Sequence, residues 1–155
     1  MKACFSPAAS YIYMKFLSFL RPDWRLLIPA LLGTLAFLWI SGGGILSPTH
    51  IGWLTGGDPA QHFIGWQFFR EAPLLQSPLG ANSDFGMEIG SSLIYTDSLP
   101  LLAFLFKPLR ALLPQPFQYM GLWMLVCFIL QAVFAWKLME KCWITSRTQP
   151  VSSRL

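Results

Sequence analysis

Long apolar blocks dominate the chain. From Leu26 to Leu46 the sequence reads "LLIPALLGTLAFLWISGGGIL" without a charge, and about 20 apolar residues at 1.5 Å each cross a hydrocarbon core. This predicts a first transmembrane helix over 26–46, with Pro29 tolerated in its first turn and "SGGG" loosening its far end. The run is longer than a signal-peptide core and has no clear small-x-small cleavage site, so it reads as an uncleaved anchor. A second run, Phe117 to Leu138, is interrupted only by Gln118, Gln131 and Lys137. It predicts a span over 117–138, with Gln131 turned towards another helix.

Between them the pattern is harder. Residues 99–113, "LPLLAFLFKPLRALL", give a short apolar stretch broken by Lys107 and Arg110. Either it is a short tilted membrane helix whose basic side chains snorkel to the interface, or it lies in the membrane surface. "KPLRALLPQP" reads as a tight proline-rich hairpin, which favours three spans over two.

The stretch "GGDPAQHFIGWQFFR", Gly56 to Arg70, predicts a helix over about 58–71. Asp58 before Pro59 is a helix-start pattern, with the carboxylate as cap. Phe63, Trp66 and Arg70 share one face and Ile64 and Phe68 another, which suits an interfacial helix anchored by Trp66 and Phe69. In the plain structural reading Asp58 caps and His62 partners it. In the functional reading a partly desolvated Asp58 acts as base or metal ligand, while His62 and Arg70 hold an anion such as a lipid phosphate. The following "PLGANSDFGMEIGSSLIYTDSLP" is rich in turn formers and reads as a compact loop carrying Asp84, Glu88 and Asp97. Asp97, introducing the short apolar stretch, is a helix cap or a carboxylate at the membrane edge.

Composition agrees with a membrane class. The 155 residues are 54% hydrophobic and 12% charged, against about 25% charged in ordinary soluble domains. The fold class expected is all-α integral membrane, with two to three transmembrane helices and a long loop, 47–98, carrying a short interfacial helix. Lys2, Lys15, Arg21 and Arg25 precede the first span against Asp23 alone, whereas the loop holds Arg70 against five carboxylates. The positive-inside rule puts segment 1–25 in the cytoplasm and the loop outside. It then conflicts with itself, because Lys107 and Arg110 flank one end of the second run and Lys137, Lys141, Arg147 and Arg154 the other. The net charge of +4 belongs to topology and headgroup contact, not nucleic acid. Cys4, Cys127 and Cys142 have no C-x-x-C spacing and support neither a disulfide framework nor zinc.

The strings "GGDPAQHFIGWQFFR", "PLGAN", "GMEIGSSL", "TDSLPLLAFLFKP" and "LLPQPFQYMGLW" resemble the N-terminal part of a bacterial family of uncharacterised polytopic membrane proteins with GT-C type glycosyltransferase architecture. The resemblance covers roughly Leu26 to Lys141. It implies a bacterial cytoplasmic membrane protein, a polyprenyl-phosphate-linked sugar donor and inverting attack by an acceptor hydroxyl outside that membrane. Asp58 then matches the essential loop carboxylate, as base or ligand to a divalent metal ion. His62, Arg70, Glu88 and Asp97 are nominated for substrate binding. GT-C enzymes are several times longer, and the polar tail 139–155, "MEKCWITSRTQPVSSRL", reads as an interrupted or frameshifted end. The chain alone is therefore expected to be inactive. The alternative is a small non-catalytic membrane protein that binds lipid or a partner helix.

Overall fold

A computed structural model describes residues 24–86, 89–96 and 98–148, with side chains as far as 143. The chain is mostly helical. Helix α1, Leu27–Ser41, is extended at its start by a 3-10 turn, Trp24–Leu26; α2 is Asp58–Glu71, α3 Pro100–Phe106 and α4 Met120–Thr148. Two helical stretches are long and apolar enough to cross a membrane, Trp24–Ser41 and Met120–Trp143. Contacts divide the chain into two compact units: residues up to Leu35 together with those from Phe128, and Ala36–Cys127.

The first unit pairs the start of α1 with the later part of α4. Gly33 lets the backbones meet: a Cβ there would sit 2.7 Å from the Phe128 carbonyl and 3.1 Å from Ala132 Cβ, the close approach small residues allow in membrane helices. Arg25, Glu140 and Trp143 line one groove, so the beginning of α1 and the end of α4 lie together. Gln131 is exposed, and no described helix of the chain covers it.

The spans differ from expectation at their ends. Gly42, at φ 72° with its N–H bonded to the Leu38 carbonyl, stops α1 at Ser41 before the expected Leu46, because a left-handed glycine turns the chain out of the helix. Helix α4 starts at Met120 and not Phe117. Gln118 is not in the span: its Oε1 accepts from Gly121 N at 2.9 Å and its Nε2 donates to the Ile45 and Ser47 carbonyls at 2.8 and 2.7 Å. A β-carbon on Gly121 would collide with the Ile45 carbonyl, which explains the glycine. At its other end α4 continues through the expected polar tail to Thr148; residues 149–155, like most of segment 1–25, lie outside the described residues.

The second unit is built on α2. Phe63, Gly65, Trp66, Phe69 and Arg70 form its buried face. Trp66 and Phe69 are fully buried and are core residues, not anchors at a headgroup layer. Trp66 meets Tyr119 edge-on at 5.1 Å and donates from Nε1 to the Phe117 carbonyl at 3.0 Å. Phe106 of α3 stacks on Tyr119 at 5.4 Å. Gly65 admits the segment before α3: an added Cβ would collide with Thr96 Oγ1 and come within 2.5 Å of Ser98 Oγ. A short ribbon, β1 Ala81–Asn82 antiparallel to β2 Ser91–Ser92, is tied to α2 by Asn82 Nδ2 donating to the Gly65 carbonyl at 2.9 Å.

The segment 99–113 is not a third span. Helix α3 has seven residues, a rise of about 10 Å against the roughly 30 Å required, and a 3-10 turn, Lys107–Leu109, follows. Its basic side chains do not snorkel. Arg110 Nη1 donates to the carbonyls of Arg70, Glu71 and Ala72 at 3.0, 3.3 and 2.7 Å. In return Arg70 donates to the carbonyls of Pro114, Arg110 and Leu113 at 2.8, 3.0 and 2.8 Å. Each arginine thus satisfies the free carbonyls at the other's chain turn, which otherwise have no donors.

Replacing Arg70 by Met strips three part-buried carbonyls of their donors, at up to about 1–3 kcal/mol for each group left unsatisfied. Gly65→Ala introduces a clash of about 1–3 kcal/mol. Both variants are expected to lower the thermal midpoint of the near-ultraviolet circular dichroism in nanodiscs, whereas Gln61→Ala, on the exposed side of α2, is expected to lower it far less.

Candidate functional site

A cavity of about 440 Å³ opens in the second unit, walled by Trp53, Leu54, Pro59, His62, Leu99, Met120, Trp123 and Met124. Four local features bring these side chains together: a 3-10 turn Gly52–Leu54, the first turns of α2, the residue before α3, and the first turns of α4. The walls are almost entirely apolar. One polar group breaks them, the His62 imidazole. Trp53 Nε1 is itself closed off from the surface, with no hydrogen-bond partner among the described residues, an N–H whose desolvation is uncompensated.

His62 Nδ1 lies 3.1 Å from the Thr96 carbonyl. A carbonyl only accepts, so Nδ1 carries the proton and Nε2 of the neutral ring keeps its lone pair. The backbone on both sides of this bond is well held. Ser98 Oγ donates to the His62 carbonyl at 2.8 Å and shares a 2.8 Å hydroxyl contact with Thr96, and Tyr119 Oη donates to the Ser98 carbonyl. Burial pushes the Tyr119 phenol far up, keeping it a neutral donor. Leu99 has φ 50° and ψ 72°, a left-handed conformation costing a non-glycine residue about 1–3 kcal/mol. Strain of this kind persists only where the surroundings impose it, and here it forms part of the cavity wall.

The residues nominated from the sequence are distributed differently. Asp58 is the exposed first residue of α2; the cap position is Gly57, at φ 65°, with no side-chain cap bond. Its charge favours the helix start through the dipole and not through capping. No described group pairs with Asp58, and His62 is bonded to Thr96 instead of to it. Arg70 is 2% exposed and both its terminal nitrogens are engaged by carbonyls, so it is not free to hold a phosphate. Glu88 and Asp97 lie outside the described residues. Among the described residues no three His, Cys, Asp or Glu side chains gather into a metal-binding group. Asp58 therefore lacks companion ligands there, and no step is assigned to a metal.

Two cavity residues, Trp53 and Trp123, are absent from the sequence nominations, although Trp123 closes the string "LLPQPFQYMGLW". The model of the family described as Domain of unknown function (DUF6311) matches residues 30–151, a range that holds α2, the cavity and both long apolar helices save the start of the first. The chain belongs to the DUF6311 family. No curated protein and no solved structure matches it.

A second buried polar group marks this unit. Lys107 is 3% exposed, and its Nζ stands 3.8 Å over the Phe69 ring without a hydrogen-bond acceptor among the described residues. Desolvation first, and the neighbouring Arg110 charge second, hold its pKa below the usual lysine value. The folded state thus holds the ammonium form less well than the unfolded chain does. Stability from this site is complete above the unfolded lysine pKa and is lost as pH falls through the lowered value. A cation–π contact returns at most about 2 kcal/mol, while burying an ammonium costs several. Lys107→Met is expected to raise the thermal midpoint at neutral pH, and less so at pH 10. For His62, nitrogen-15 spectra of the histidines at mildly alkaline pH are expected to show a protonated Nδ1 and a bare Nε2; the opposite tautomer would remove Nε2 as an acceptor.

Proposed function

We propose that this chain is a membrane module that binds a polyprenyl-phosphate-linked sugar donor, as the N-terminal part of a GT-C-like glycosyltransferase. In this reading α1 and α4 cross a bacterial cytoplasmic membrane, with the N-terminus in the cytoplasm and the unit built on α2 on the outer side. The cavity carries the proposal. Its apolar walls suit an isoprenoid chain, and the His62 imidazole among them suits a polar atom at the head of the donor.

The chemistry follows from the groups at hand. An acceptor hydroxyl attacks the anomeric carbon, the new C–O bond forms as the bond to the phosphate oxygen breaks, and the hydroxyl proton passes to a base. Polyprenyl phosphate leaves with its electron pair. The resemblance nominates Asp58 for that base, and the tautomer of His62 makes Nε2 a second acceptor beside the same helix start. The missing hydrogen bond between Asp58 and His62 favours a second reading, a non-catalytic membrane protein that holds lipid in the same cavity.

The chain in nanodiscs is expected to be photocrosslinked by a benzophenone-bearing polyprenyl phosphate. Trp123→Ala should weaken labelling about tenfold, equivalent to about 1.4 kcal/mol, and Asp58→Asn should leave it unchanged. In a membrane fraction that transfers sugar from the donor, Asp58→Asn should lower transfer about 100-fold or more. Labelling without any transfer selects the non-catalytic reading. Labelling that ignores Trp123→Ala overturns both.

A further inference from the structure

Segment 100–112 is amphipathic in the reverse sense. Every exposed residue in it is apolar: Leu101, Phe104, Leu105, Pro108, Leu109 and Leu112, together with Ala111. Its only charged side chains, Lys107 and Arg110, are turned into the protein, the first over Phe69 and the second onto the end of α2. Water would select the opposite arrangement, since Leu101 and Leu112 stand 78% and 83% exposed while both basic side chains face inward. A low-dielectric exterior removes the conflict.

We infer that this segment is a re-entrant element whose leucine face lies in the hydrocarbon of the membrane. Two further observations name lipid as the occupant. The face continues onto a spanning helix: Phe106 lines one groove with Leu122 and Leu125 of α4, whose stretch Met120–Trp143 is long and apolar enough to cross. The backbone is also prepared for lipid. Irregular chain at membrane depth is tolerated only where its polar groups are satisfied internally, and the turn after α3 meets that demand. Arg70 covers the carbonyls of residues 110, 113 and 114, while Lys107 and Leu109 accept the N–H groups of Arg110 and Leu112. Seven α-helical residues reach about 10 Å, enough to enter one leaflet and return. The inference rests on the membrane reading of α1 and α4 and not on any chemistry.

The test places one environment-sensitive label in the full chain, with Cys4, Cys127 and Cys142 changed to serine. Leu101→Cys, Leu105→Cys and Leu109→Cys are each labelled with a nitrobenzoxadiazole and reconstituted in phosphatidylethanolamine–phosphatidylglycerol vesicles; Leu130→Cys on α4 is the reference. All three segment labels are expected to be blue-shifted, to lose most of their emission to lipids carrying a nitroxide on the acyl chain, and to ignore aqueous iodide. Quenching by iodide at the segment with acyl quenching kept at Leu130 overturns the inference and leaves the membrane reading standing. Protection from both quenchers means a protein covers the face and also overturns it. Iodide quenching at Leu130 as well removes the membrane reading and the inference together.

Discussion

The second unit depends on two guanidinium groups exchanging partners across about 40 residues of chain. Where α2 ends and where the turn after α3 ends, backbone carbonyls point out with no helical donor to meet them. Arg70 and Arg110 each supply the donors for the other's turn. Because a guanidinium fork is planar and fixes several bonds at once, the exchange sets both the separation and the rotation of α2 against α3. Phe69 and Lys107 come to lie ring against amine, Trp66 reaches Phe117 and Tyr119, and Phe106 closes over Tyr119. The cavity wall inherits its shape from this, since Trp53, Leu99 and Met120 are held by the same core.

This exchange could not be read from the sequence, for a physical reason. In a linear pattern an arginine or lysine among apolar residues signals a water-facing or interfacial position, because burying its charge alone is prohibitive. What makes it affordable at Arg70 is a set of carbonyls more than 40 residues away, and no periodicity encodes those. Trp66 and Phe69 were misplaced for the same reason: an aromatic face fits a headgroup layer and a protein core equally well. Local signals fared better. The two long apolar runs give both crossing-length helices, and Asp58-Pro59 marks the start of α2, although the positive φ of Gly57 moves the cap one residue earlier. Gly65 inside an aromatic helix was a usable hint of close approach, and Thr96 and Ser98 do press on it. The cavity draws on residues from 53 to 124, and nothing local announces that union.

The inward turn of Lys107 and Arg110 bears on topology as well. Counted as loop residues they oppose Lys137 and Lys141 across the second span, and the positive-inside rule conflicts with itself. Removed from the count together with the equally buried Arg70, they leave basic residues only before α1 and from late in α4 onwards. Arg25 and Glu140 line one groove, so those two basic groups stand at the same end of the first unit. Two crossings then satisfy the rule that three would break, with the proposed cytoplasmic side at that end.

The same accounting explains why an apolar cavity, a strained Leu99 and an outward leucine face occur in one small unit. A soluble fold of this size stabilises itself by turning leucines inward and charges outward, and would collapse a cavity walled by two indoles. Here the two guanidinium groups are consumed inside by carbonyls and Lys107 lies over a ring, which leaves the leucines for the exterior and the indoles for the opening. Such a distribution costs free energy in water and little beside hydrocarbon, where leucine has no reason to turn inward. The donor proposed for the cavity is itself a lipid, so a unit that meets hydrocarbon on its outer face can receive that lipid laterally from the bilayer without carrying it through water. The reversed amphipathicity of segment 100–112 and the greasy wall beside His62 are then two consequences of one solvent.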